Sequence, residues 1–198
     1  KMIYGVCGLP GGGKSYFLSC AIADAVKEGR PVFTNYPFPG AYVLEFDDLI
    51  SKSFPEGSLL GIDEANTWFR NRDWAKMPKE AFLFFMHHRH FKLDMILVSQ
   101  MPTTLDVNIR DIVSFWVWSS ATFVPFIRSK DGQSKALWFR YSFYTTVEDL
   151  AAGRNRIKVI RKRARQSIFR QFDSYYKFVE LQREAIVLRR WQDEVESS

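Results

Sequence analysis

Cysteine is scarce: of 198 residues only Cys7 and Cys20 carry thiols, and no zinc-ligand spacing surrounds them. A disulfide framework and a structural zinc site are excluded, and both thiols are expected to be buried and reduced. Long apolar runs are missing as well. The longest, around Phe82 to Met86 and Val113 to Trp118, fall far short of the roughly 18 residues a spanning helix needs. The N-terminus passes from an apolar segment straight into a glycine loop, without the charged and cleavable regions of a secretion signal. The chain as given is therefore expected to be soluble. Neither a repeat nor a low-complexity linker breaks it up. Acidic residues are absent from Arg154 to Arg170, where eight Lys or Arg residues stand, so this stretch carries much of the formal net charge of +6. A surface of that kind can meet nucleic acid or an anionic membrane.

What is present suits a folded domain. With 46% hydrophobic residues the chain can fill a core. Strand patterns cover Met2–Cys7, Val32–Asn35, Tyr42–Phe46, Leu59–Ile62, Met95–Val98 and Ser114–Ser119. Helical patterns cover Lys14 to about Glu28, Asp47–Lys52 and Pro78–Phe91. Short, wholly apolar strands alternating with helices predict an α/β fold with three layers, a mainly parallel sheet between helices. We expect this core over residues 1–125. Residues 126–198 form an appendage packed on it: a β hairpin with a strand at Leu137–Tyr144, the basic stretch, and a long amphipathic helix from Ser167 to about Glu194. Packing on the core and docking to a partner are both open to that helix.

The chemistry concentrates in Gly8-Leu9-Pro10-Gly11-Gly12-Gly13-Lys14-Ser15, which satisfies the phosphate-loop pattern G-x-x-x-x-G-K-[ST] between a strand and a helix. Glycines let backbone N–H groups converge on phosphates, and the helix N-terminus adds partial positive charge. Lys14 is expected on the β- and γ-phosphates and Ser15 on magnesium, with the set running on to Tyr16. Asp63 ends a buried strand, where a second magnesium ligand belongs, and Glu64 follows as the base for an attacking water. Gln100 ends the next strand and should stand at the same edge, near the γ-phosphate. No Asn-Lys-x-Asp element reads guanine, and Glu64-Ala65-Asn66 is not a glycine-bearing GTPase switch, so the expected nucleotide is ATP with Mg2+.

These elements, taken in order, resemble the zonula occludens toxin family, which includes the filamentous-phage morphogenesis ATPases. The resemblance covers about residues 2 to 120: the glycine loop, Thr34-Asn35, Asp63-Glu64, Thr67-Trp68-Phe69, Arg72-x-Trp74, His87-x-Arg89, Asp94, Gln100, Asp106 and Arg110. It implies an ATPase at the cytoplasmic face of the bacterial inner membrane that powers phage assembly and export. It also implies a homo-oligomer, a hexamer being one such form, whose partners include phage DNA or capsid and export proteins. Arg110, or Arg89, would stabilise transition-state charge, in its own subunit or in a neighbouring one. Family members usually continue into a membrane-spanning segment, which this chain lacks, so contact with the membrane would run through a segment outside it. Two further readings stay open: a DNA-translocating or packaging ATPase, and a nucleotide-dependent scaffold with little turnover.

Overall fold

A computed structural model describes residues 1–51, 53–69, 79–87, 91–128, 134–165 and 167–168. The chain opens with β1 (Ile3–Cys7), the glycine loop and α1 (Lys14–Lys27). Next come β2 (Val32–Thr34), β3 (Tyr42–Val43), the single turn α2 (Asp48–Ser51) and β4 (Leu59–Ile62). After β4 follow α3 (Lys79–His87), β5 (Asp94–Val98) and α4 (Val107–Ile112). The described chain continues as β6 (Phe115–Arg128), β7 (Ser134–Tyr144), α5 (Val147–Ala152) and β8 (Lys158–Arg163).

All eight strands join one sheet in the order β3-β2-β4-β5-β1-β6-β7-β8. Every pair from β3 to β6 is parallel, whereas β6, β7 and β8 pair antiparallel. The expected α/β architecture with a mainly parallel sheet is thus the one observed. Strand alternation builds a core on each face. On one face Val6, Val98, Val117, Phe139 and Tyr141 meet Leu18 and Ile22 of α1. On the other, Ile3, Leu60, Leu97, Trp116 and Tyr144 meet Phe69, Phe85 of α3 and Ile109 of α4.

Two local features explain how the layers close. Helix α1 ends because Gly29, at φ 70°, turns the chain so that its N–H reaches Val26 O while the Arg30 N–H reaches Ala25 O. Beneath Trp116, Gly5 leaves the space: a Cβ there would lie 2.5 Å from the indole ring. Trp116 is 1% exposed and spans the junction of β1 with β6.

The hairpin strand is not set apart from the parallel sheet but extends its edge. β6 runs on from the expected Ser119 to Arg128, because the aromatic and β-branched residues after Ala121 suit a strand as well as those before it. The basic stretch, to which no element was assigned, holds β8, the edge strand. Two expected elements shrink: the extended run at Tyr42 keeps only two residues, and the helix at Asp47 is one turn. Apart from Ser167 and Ile168, the expected C-terminal helix lies outside the described residues. Among the described residues no helix is long and apolar enough to cross a membrane.

Both thiols are free and buried, Cys7 within 3.3 Å of the Ser99 hydroxyl. Burial pushes the Cys7 thiol up to about 12 and raises that of Cys20 too. Since only the thiolate attacks, both should resist a disulfide reagent at pH 8 in the native protein and react in denaturant. Removing the indole has a larger consequence. Trp116→Ala should destabilise the fold by about 3–5 kcal/mol in urea titrations, and a loss below 1 kcal/mol would mean that the β1–β6 junction does not depend on it.

Candidate functional site

The parallel strands deliver their carboxyl ends to one edge. β5 lies between β1 and β4, so the glycine loop after β1, Gln100 after β5 and Asp63-Glu64 after β4 fall side by side, with Asn35 following β2 beyond them. Residues far apart in the chain meet because a parallel sheet aligns its strand ends.

Within the loop the backbone carbonyls are occupied. Lys14 is buried and its Nζ donates to Gly8 O at 2.9 Å and Leu9 O at 3.2 Å. Ser119 Oγ of β6 donates to Gly12 O at 2.6 Å, and the Tyr141 hydroxyl of β7 donates to Gly13 O at 3.0 Å. Gly13 stands just before α1 at φ 91° and its Cβ position falls 2.2 Å from the Phe139 ring, so both conformation and space demand glycine. The first-turn N–H groups of α1, including those of Lys14 and Ser15, have no intrahelical acceptor and open toward the loop. Leu9, Pro10 and Gly11 form the exposed crest.

The acidic turn is fixed from both sides. Asn35 Nδ2 donates to Asp63 O and the Asp63 N–H donates to Asn35 Oδ1, each at 2.8 Å. Burial raises the Asp63 carboxyl above its ordinary range, opposed by hydrogen bonds from the Ser15 hydroxyl and the Glu64 N–H. Glu64 is exposed and held at φ 46°, ψ 47°. That left-handed backbone is costly for a residue with a side chain and recurs at functional turns. Thr67 secures it: its N–H and hydroxyl both donate to Glu64 O, at 2.8 and 2.9 Å. Gln100 is tied to the loop through its carbonyl, which accepts the Gly8 N–H at 3.1 Å, and its side chain is exposed.

Not every expected residue turns to this edge. The Tyr16 side chain faces away: its hydroxyl donates to Arg163 O at 3.0 Å and accepts the Arg165 N–H at 2.9 Å, docking α1 on β8. Only its backbone belongs to the loop end of α1. Arg110 sits on α4, half-buried, with a buried Nε that has no hydrogen-bond partner. Arg89, Arg72 and Trp74 lie outside the described residues. Sequence reasoning missed Ser119, Phe139 and Tyr141, since their contacts with the loop span 107 to 128 positions and no short motif carries them.

The residues fit a magnesium nucleotide. A lysine parked on loop carbonyls, open helix N–H groups and a hydroxyl against a partly desolvated carboxylate offer donors for phosphate and hard oxygen ligands for the metal. This fold and edge define a P-loop NTPase. The sequence comparisons point to a narrower group. The family model Zonular occludens toxin (Zot) matches residues 45–177, and the chain belongs to that family. ORF301 of Pseudomonas phage Pf3, named as an assembly protein, is 30% identical over 125 residues, which is 59% of this chain and 42% of that protein. Gene 1 protein of Escherichia phage If1 is 28% identical over 134 residues, 54% of this chain and 38% of that one. The matched part thus spans only about two fifths of those relatives.

Solved structures agree on the fold. The N-terminal domain of zonular occludens toxin from Neisseria meningitidis superposes with a TM-score of 0.57 at 20% identity, covering 85% of this chain and 98% of that one. The genome packaging NTPase B204 of Sulfolobus turreted icosahedral virus 2, in complex with AMPPCP, gives 0.51 at 14% identity over 83% and 98%. At these identities the likeness is one of architecture.

The clamp from β7 can be tested by one atom. Tyr141→Phe keeps the ring that packs on Phe17 and removes the bond to Gly13 O. Stability should fall by about 1 kcal/mol, and ATP affinity in calorimetry should drop several-fold. Unchanged values of both would show that the loop holds its shape without that hydroxyl.

Proposed function

We propose that this chain is the ATP-hydrolysing part of a filamentous-phage assembly and export motor. The observation that carries the reading is the meeting of Lys14, Ser15, Asp63, Glu64 and Gln100 at one sheet edge, in a chain similar to a phage protein named for assembly. Magnesium-bound ATP supplies a γ-phosphoryl group for transfer to water. Lys14, which donates to Gly8 O and Leu9 O, would bind the phosphates, and Ser15 and Asp63 would hold the metal. Glu64 accepts the proton of the attacking water, held in place by the strained turn that Thr67 secures. Gln100, anchored by its backbone to Gly8, offers its amide to the same phosphate.

Arg110 acts in trans in this reading. Arg110 follows Gln100 by ten residues on α4, and a site shared in this way needs at least a second copy of the chain. Capsid and export proteins, and the cytoplasmic face of the inner membrane, complete the proposed setting. A scaffold that binds nucleotide without turning it over is the competing reading, and Glu64 weighs against it, because pure binding needs no carboxylate beside the metal ligands.

Two variants separate these. Lys14→Ala should abolish ATP binding in calorimetry while the circular dichroism of the fold is kept. Glu64→Gln should bind ATP like the parent and release phosphate at least about a hundredfold more slowly. A Glu64→Gln protein that hydrolyses at the parental rate would leave the scaffold reading standing.

A further inference from the structure

The antiparallel extension has two faces, and they differ. On the α1 side Phe139, Tyr141 and Ile160 are packed, and Lys162 stands 3.9 Å from the Asp24 carboxylate. The opposite side carries Ser120 and Thr122 of β6, Trp138 and Arg140 of β7, and Arg161 and Arg163 of β8, one residue out of phase. Register places Arg140 directly across from Arg161, and Trp138 directly across from Arg163. Among the described residues no carboxylate pairs with these three arginines.

For stability alone this is a poor arrangement. Like charges directly opposite each other on a sheet destabilise it, and the buried Nε of Arg140 has no acceptor. Trp138 remains 46% exposed beside Arg163. An anion would remove the repulsion between the facing guanidinium groups. An exposed indole between guanidinium groups adds a stacking platform that a simple anion would not use, whereas a base would. The hydroxyls of Ser120 and Thr122 complete a polar floor.

We propose that this face of β6, β7 and β8 binds single-stranded nucleic acid, with phosphates on Arg140, Arg161 and Arg163 and a base stacked on Trp138. The cross-strand cations and the Ser120 and Thr122 hydroxyls suit a sugar-phosphate backbone lying across the strands. An anionic membrane would call for protruding apolar groups to insert, and the described neighbours of Trp138 on this face include Thr122, Arg140 and Arg163, all polar or charged. The face stands back to back with the loop clamp: Ser120 and Arg140 adjoin Ser119 and Tyr141, whose hydroxyls hold Gly12 and Gly13. Binding here does not depend on the ATPase reading, so Lys14→Ala and Glu64→Gln should bind single strands like the parent.

The test is fluorescence anisotropy of the whole chain with a labelled thymidine oligomer of about 20 nucleotides, at several salt concentrations. Arg161→Glu with Arg163→Glu should weaken binding at least tenfold and reduce the slope of log affinity against log salt by about 1.4, or about 0.7 per lost contact. Trp138→Ala should lose about five- to a hundredfold, and Trp138→Phe should recover most of it. The control Lys27→Glu with Lys158→Glu changes charge equally on exposed residues of the α1 side, one of them in the same strand, and should have a much smaller effect. Arg161→Glu, placed opposite Arg140, should keep or raise the thermal midpoint, so that lost binding is not lost folding. Equal weakening by both charge pairs, or no effect of Trp138→Ala, would overturn the proposal. So would a parent protein that binds vesicles of anionic phospholipid through these arginines and ignores the oligomer.

Discussion

A loop that binds phosphate must keep its N–H groups free while its carbonyls find partners, and this chain depends on meeting both demands within Gly8–Ser15. The carbonyls of Gly8 and Leu9 accept Lys14, that of Gly12 accepts Ser119, and that of Gly13 accepts Tyr141 together with the Phe17 N–H. With the acceptors engaged, the loop is a concave array of donors at the positive end of a helix. The layers around it follow from the same demand. β6 and β7 must reach past the end of β1 to supply two hydroxyls, and α1 must lie close enough for Phe139 to press on Gly13.

Function is divided among strand ends and strand faces. The carboxyl edge collects the groups suited to nucleotide chemistry, because strand order alone sets Gln100 between the loop and the acidic turn. Asn35 has a quieter part there. By bonding both the N–H and the carbonyl of Asp63 it fixes the turn in which Glu64 takes its left-handed conformation. In the proposed reaction a base held at a strained position is pre-organised, and the packing around Ala65 and Phe69, both fully buried, offsets the strain.

Much of this could be read in the residues. The parallel core was legible because short apolar strands alternate with helices, and Leu59–Ile62 has the expected bounds in the structure. The loop and the acidic turn were legible because their spacing is local. The reach of β6, the place of β8 in the sheet and the hydroxyls of Ser119 and Tyr141 were not, since each follows from pairing between distant segments, which local pattern does not encode. Charge was legible as a total but not by face: the basic stretch had no element assigned, and alternation along β8 sends Lys162 to α1 and leaves Arg161 and Arg163 on the other face. Tyr16 shows the opposite limit, a residue inside a contiguous motif whose side chain serves the fold.

The hydroxyl clamps also set an order of events when the chain is made. The groups that fix Gly12 and Gly13 are made 107 and 128 residues after the glycines they hold. Until β6 and β7 have been synthesised and paired, the loop has its sequence without its shape. Contacts of such sequence separation form late because closing long loops costs entropy before it returns any stabilisation. The shape of the glycine loop is thus a property of the paired sheet and not of the loop segment on its own.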